Sequence, residues 1–293
     1  MRFAHLLQSF INTPLAIHPA KAEMILAALS ERMGAKISID KLVVDQAAWE
    51  ADDDFSNPGR SVSDCGYELV GGVAIIPIQG TLVQKLGSLR PYSGMTGYDG
   101  IRQAFLTAIA DDDAKAVMFD VQSAGGLVAG NFDLVDTIYD SRGAKPIAAI
   151  LTEYAYSAAY GLASAVDPGR IYVPRTGGTG SVATMATYVD MSKGLKDGGI
   201  QFNFFVSDGA ERKLDGHAEI PMSDDARAAI QAEVNEAGEI FYDTVARNRG
   251  LTVKAVKGLK GGTFMGANGL RAGLADHVMA PDAAFRALVA DLG

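Results

Sequence analysis

Ile147-Ala-Ala-Ile-Leu-Thr-Glu-Tyr-Ala-Tyr-Ser157-Ala-Ala-Tyr-Gly-Leu-Ala-Ser-Ala-Val-Asp167 changes character halfway along. Residues 147–152 are a continuous aliphatic run, the pattern of a buried strand. Residues 157–165 are small and apolar, and read as a helix able to lie close to that strand. Ser157 therefore falls at a strand-to-helix turn. A hydroxyl placed there meets unpaired amides and the positive end of the helix, which favour an alkoxide or a developing oxyanion.

The same alternation extends upstream. Val73–Gln79 reads as a strand, with Pro77 restricting it to an edge or a bulge. Tyr98, Ile101, Phe105 and Ile109 are spaced for one helical face, and Ala116–Gln122 is the next strand. Ala129, Phe132, Val135 and Tyr139 mark another helix, closed by Gly143. Short strands alternating with helices imply right-handed crossovers and a largely parallel sheet, an α/β fold with helices on its faces. Downstream, the apolar run Ile200–Ser207 reads as a further strand. A long helix is expected from an N-cap at Ser223 to Arg249, with Ile230, Val234, Ala237, Phe241 and Val245 on one stripe and Gly250 as its stop.

Residues 1–50 read as an N-terminal arm, with a helical pattern from Pro19 to Met33. Residues 51–65 are polar and turn-rich, the composition of a linker, and residues 66–293 form the main domain. The triplet Asp52-Asp53-Asp54 is read as solvated loop rather than a metal site, and no cofactor is expected.

The 293 residues carry 26 basic and 35 acidic side chains, a formal charge of −9, and no basic stripe. That balance argues against nucleic acid as a partner. Cys65 is the single cysteine, which excludes a disulfide framework or thiolate cluster and fits a reducing compartment. No apolar stretch approaches the ~20 residues that span a bilayer. The opening residues are broken by His5, Gln8, Asn12 and Pro14, unlike a secretory signal. A soluble cytoplasmic protein without a membrane anchor is expected.

A serine attacks only when a base takes its proton. Of four histidines, His5 and His18 lie in the arm and His277 near the end, which leaves His217 as the credible histidine base. Lys213, in Ser207-Asp-Gly-Ala-Glu-Arg-Lys213-Leu-Asp215, is the alternative, provided burial keeps its amine neutral. By local sequence alone it is an ordinary exposed lysine. Gly125-Gly126, at the carboxyl end of strand 116–122, can turn amides into the crevice where α/β sheets bind ligands, although a glycine pair is often only a turn. Thr176-Gly-Gly-Thr-Gly-Ser181-Val182 lacks the lysine and spacing of a nucleotide loop. It is assigned to positioning around the lysine, with Ser181 as a hydrogen-bond partner.

In this order the segments resemble peptidase family S49, the signal peptide peptidase A group and its phage head-maturation branch. The glycine motif of that family corresponds to Ser123-Ala-Gly-Gly126, and the nucleophile motif to Tyr156-Ser157-Ala-Ala-Tyr160-Gly. Gly180-Ser181-Val182-Ala183, the lysine motif 207–215 and the late element Gly266–Asp276 follow. Ala183 stands where a glycine is usual and Ala124 where a proline is. Phe10-Ile-Asn-Thr-Pro-Leu-Ala-Ile-His-Pro19 is similar to the opening of the phage branch.

The resemblance implies a ClpP/crotonase-like core over about residues 66–280 and a Ser–Lys dyad of Ser157 and Lys213. It also implies an oxyanion hole from the amides of Gly125, Gly126 and Ala158, and a homo-oligomer in which the lysine can come from a neighbouring protomer. The expected substrates are scaffold, capsid or portal proteins of a phage or prophage procapsid. The alternatives are a bacterial signal-peptide-degrading peptidase, a non-proteolytic capsid-assembly subunit and, more remotely, a crotonase-type acyl-CoA enzyme.

Overall fold

The computed structural model describes residues 14–19, 21–22 and 65–292. The acidic triplet, His5, most of the arm helix and all of the linker but Cys65 lie outside these residues. A ten-stranded sheet organises the rest. Its path begins at β2 (Glu68–Val70), which pairs antiparallel with β3 (Val73–Val83). The path continues in parallel through β5 (Ala116–Leu127), β6 (Ile147–Tyr156), β7 (Ile171–Val173) and β10 (His277–Val278). Four strands join off this path. They are β1 (Leu15–Ile17) on β5, β4 (Met95–Gly97) on β3, β8 (Gly178–Gly180) on β6, and β9 (Thr263–Met265) on β8.

Alternate residues of the central strands feed two cores, because a strand presents successive side chains to opposite faces. Val117, Phe119 and Val121 join the larger core under α1 (Tyr98–Ala110), α2 (Asn131–Asp140), α3 (Ala158–Ser164) and the second half of a long helix, α5 (Asp224–Arg249). A short helix, α4 (Ser192–Asp197), precedes α5 in the chain. Ala116, Met118, Ala148 and Ile150 face the other way, against Ala284 and Leu288 of the C-terminal helix (Pro281–Ala290). This is the α/β sheet with helices on both faces that the alternation implied. No helix among the described residues is long and apolar enough to cross a membrane.

Local signals held where they were strong. The Ser223 hydroxyl caps α5 by accepting the Ala226 amide at 3.1 Å, and Gly250 ends the helix with φ 64°. Pro77 is not on an edge strand. Residues 75 and 79 of β3 bond towards the β2/β4 side. Position 77 has the same parity, so its missing N–H falls in the gap between those two short strands. The expected strand at 200–207 does not form. Ile200, Phe202, Phe205 and Val206 are exposed, Phe205 by 94%, and among the described residues the segment pairs with no strand.

Candidate active site

Ser157 stands between β6 and α3 with φ 56° and ψ −123°. Two neighbours impose this conformation. Its amide donates to the Gly180 carbonyl at 2.8 Å, continuing the β6–β8 pairing. Its carbonyl already accepts the Gly161 amide at 2.9 Å, the first turn of α3. The chain passes from extended to helical across one residue. Ala158, Ala159, Gly161 and Ala163 keep α3 thin enough to bury every residue against the sheet. Asn131, at the start of α2, donates to the Ala158 carbonyl at 3.0 Å and fixes the helix from the side.

The glycine pair borders the serine. A Cβ built on Gly125 (φ 98°) would lie 3.0 Å from the Ser157 Cβ and 2.2 Å from the Ala16 carbonyl oxygen. One on Gly126 would meet the Leu82 carbonyl oxygen at 1.9 Å. Neither position admits a side chain, so close approach of three strands explains both glycines. The Gly125 amide donates to Ser123 Oγ at 3.2 Å, and that hydroxyl donates to the Gly80 carbonyl at 2.6 Å.

Gly180-Ser181-Val182-Ala183 wraps the far side of Ser157. Ser181 also has φ 56°, donates its amide to Gly262 at 2.8 Å and accepts from the Ala183 amide at 3.0 Å. The Ala183 carbonyl faces Ser157 Oγ at 3.5 Å, the long limit for such a contact. In one chain this stretch is therefore the surround of the serine. Tyr156 stacks on Tyr154 at 5.0 Å and meets the His18 ring, tilted by 31°, at 5.1 Å, an aromatic wall beside the turn. Burial raises the pKa of both phenols.

Neither candidate base reaches Ser157 within the chain. Ser157 has no accessible surface. Lys213 is exposed on a single 3-10 turn (Glu211–Leu214), with its amide on the Ala210 carbonyl at 3.0 Å. His217 lies 3.5 Å from Glu219 and packs on Phe204 at 4.7 Å. Two surface cavities lie elsewhere. One of about 280 Å³ lies between His217 and Met222, and one of about 380 Å³ between Thr184, Val234 and Tyr242.

The feature missed in the sequence is β1. Leu15-Ala-Ile17 was assigned to the arm, yet it sits in the sheet and brings His18 beside Tyr156. Its signal was present as a short apolar run bracketed by Pro14 and Pro19.

A largely parallel sheet covered by helices, with a positive-φ serine at a strand end beside glycine-rich backbone, defines an α/β protein with a candidate site at that corner. Comparison narrows this class. The model for peptidase family S49 matches residues 140–292, and the chain belongs to that family. It is 36% identical over 279 residues to the head-tail preconnector protein GP5 of Enterobacteria phage P21, covering 94% of this chain and 55% of that protein. It is 32% identical over 284 residues to the capsid assembly protease C of Escherichia phage lambda, covering 94% and 63%. The chain thus spans only 55% to 63% of the length of these two relatives.

Proposed function

We propose that this protein is a serine endopeptidase of phage or prophage head maturation, acting on scaffold, capsid or portal proteins in the host cytoplasm. The observation that carries the reading is Ser157 itself, held in a left-handed conformation at a strand–helix corner with Gly125 against its Cβ. Strained backbone at a nucleophile is a recurring device for presenting a hydroxyl to a substrate carbonyl. Membership of peptidase family S49 and similarity to a phage capsid assembly protease and a head-tail preconnector protein support a peptidase role in head maturation.

In this mechanism neutral Lys213 accepts the Ser157 Oγ proton as the oxygen bonds to the scissile carbonyl carbon. The amides of Gly126 and Ala158 hold the oxyanion, joined by that of Gly125 once it leaves the Ser123 hydroxyl, with Ser181 in support. The C–N bond breaks as the ammonium returns its proton to the leaving amine. Water, deprotonated by the same amine, then releases the acyl group.

Lys213 comes from a neighbouring copy. It is exposed in its own chain, and it follows the uncovered run Ile200–Val206, which needs a partner surface. Packing of that run against a second copy buries the amine and keeps it neutral. The test is incubation with the neighbouring shell and scaffold proteins, read by gel and mass spectrometry. Wild type cleaves, while Ser157→Ala and Lys213→Ala do not. Failure of wild type both to cleave and to react with a fluorophosphonate would identify a non-proteolytic assembly subunit instead.

A further inference from the structure

The groove beside Ser157 is filled by the chain itself. β1 runs antiparallel to the end of β5, with Leu15 opposite Leu127, Ala16 opposite Gly126 and Ile17 opposite Gly125. The His18 amide donates to the Ala124 carbonyl at 2.8 Å. In an antiparallel ladder this bond makes Ala16–Gly126 the pair that exchanges both hydrogen bonds. The Gly126 amide, one of the proposed oxyanion donors, is therefore turned towards the Ala16 carbonyl. A Cβ on Gly125 would touch both that oxygen, at 2.2 Å, and the Ser157 Cβ, at 3.0 Å, so the Ala16 carbonyl and the serine border the same glycine. On the opposite edge, Leu15 and Met185 exchange two backbone bonds of 2.8 and 2.9 Å.

The seat of this strand is selective. Ala16 is fully buried and joins the core that contains Ala155 and Ala158. Leu15 and Ile17 point the other way and cluster with Ala22 and Leu127. Pro14 and Pro19 bracket the segment and cannot donate to either neighbour, so the pairing stops after four residues.

We infer that the groove between Gly125–Leu127 and Met185 is a binding site for an extended peptide of aliphatic–small–aliphatic pattern, and that Leu15–Ile17 occupies it as a resident strap that an incoming peptide displaces. The effect on catalysis rests on the reading of Ser157 as nucleophile, whereas the occupancy does not. Main-chain pairing supplies affinity in such strand addition, and the pockets for alternate side chains supply selectivity. A strap that fills the groove for most of the time lowers the apparent affinity for substrate by the fraction of grooves left open.

The experiment uses the full chain with Leu15→Pro and, separately, Ala16→Pro. The first removes the N–H given to Met185, and the second the N–H given to Gly126. Hydrogen–deuterium exchange should quicken at residues 125–127. The labelled hexapeptide Pro-Leu-Ala-Ile-His-Pro should bind each variant tighter than wild type, on the order of tenfold for one lost pairing bond and its neighbours. Folded variants with unchanged exchange and unchanged peptide affinity overturn the proposal. A third arm covers variants that misfold. Saturating hexapeptide on the wild-type chain should speed exchange of the chain's own Leu15, Ala16 and His18 amides, and unaltered exchange there also overturns the strap. If the peptide binds the variants tighter while no protein cleaves substrate or reacts with a fluorophosphonate, the strap stands and the protease reading fails.

Discussion

Ser157 holds a backbone conformation that a residue with a Cβ enters at a cost of roughly 1–3 kcal/mol. Glycine occupies it without that cost but loses more freedom on folding, which offsets roughly 0.4–1 kcal/mol. Ser157→Gly should therefore be more stable than Ser157→Ala by about 1 kcal/mol, or roughly 2 °C in Tm for a chain of this size. Both lack the proposed nucleophile, so both should be inactive. Equal melting temperatures would show that the corner carries no strain. Asp120 offers a second test on the opposite face of the sheet, where it accepts a hydrogen bond from Thr152. Burial raises its pKa, and the Thr152 bond opposes this only in part. The unfolded chain therefore ionises Asp120 first as pH rises. Its contribution to stability is most favourable in acid and is lost as pH climbs through the folded pKa. Asp120→Asn should melt close to wild type in acid and above it near neutrality. A gap that stays constant or closes towards neutrality would show that Asp120 is not the group responsible.

Elements were legible to the degree that their signals were local. β3, β5 and β6 begin where the aliphatic runs begin, and α5 has the cap and stop residues its sequence announced. Their carboxyl ends were not legible. β3 runs on to Val83, β5 through Gly125-Gly126 to Leu127, and β6 through Glu153 to Tyr156, because β4, β1 and β8 respectively supply ladder partners from other segments. The same dependence on partners hid β1 and produced the false strand at 200–207, which has the residues of a strand and no strand partner among the described residues. Ser157 was legible through the change from strand to helix, while its contacts with Gly180 and Ala183 were not. A long-range tie of this kind also joins the end of α5 to the residues before β10. Arg249 grips Asp276 through its two terminal guanidinium nitrogens at 2.6 and 3.2 Å, and its Nε donates to the Gly273 carbonyl at 3.0 Å. Asp276 also accepts the Ile171 amide at 3.0 Å. With side chains only 7% and 18% exposed, removal of one partner leaves an uncompensated charge. Asp276→Ala should lower stability by about 3 kcal/mol in urea denaturation. A loss below 1 kcal/mol would mean that water replaces the carboxylate.

At the scale of the whole molecule, one chain contains a buried serine and a lysine turned to solvent, and the proposed function has assembly bring them together. If Lys213 acts on the serine of a neighbour, the two inactive variants are complementary. In a mixed oligomer, a Lys213→Ala protomer offers an intact Ser157 and a Ser157→Ala protomer offers an intact lysine. Random assembly from equal amounts should restore about one quarter of wild-type sites, since each site needs the right copy on both sides of a head-to-tail contact. The restored activity should fall on dilution with the oligomer. It should also be lost when Phe202→Ser and Phe205→Ser are introduced together, because the exposed run 200–206 is the surface proposed to seat the partner. Circular dichroism and melting of that double variant should match those of the separated chain, as neither phenylalanine is buried in it. Activity measured after subunit exchange, beside sedimentation of each mixture, checks all three outcomes. Mixtures that remain inert while they co-assemble would place the working lysine within the same chain as the serine, and the loop 207–215 would then have to move onto Ser157 without a neighbour.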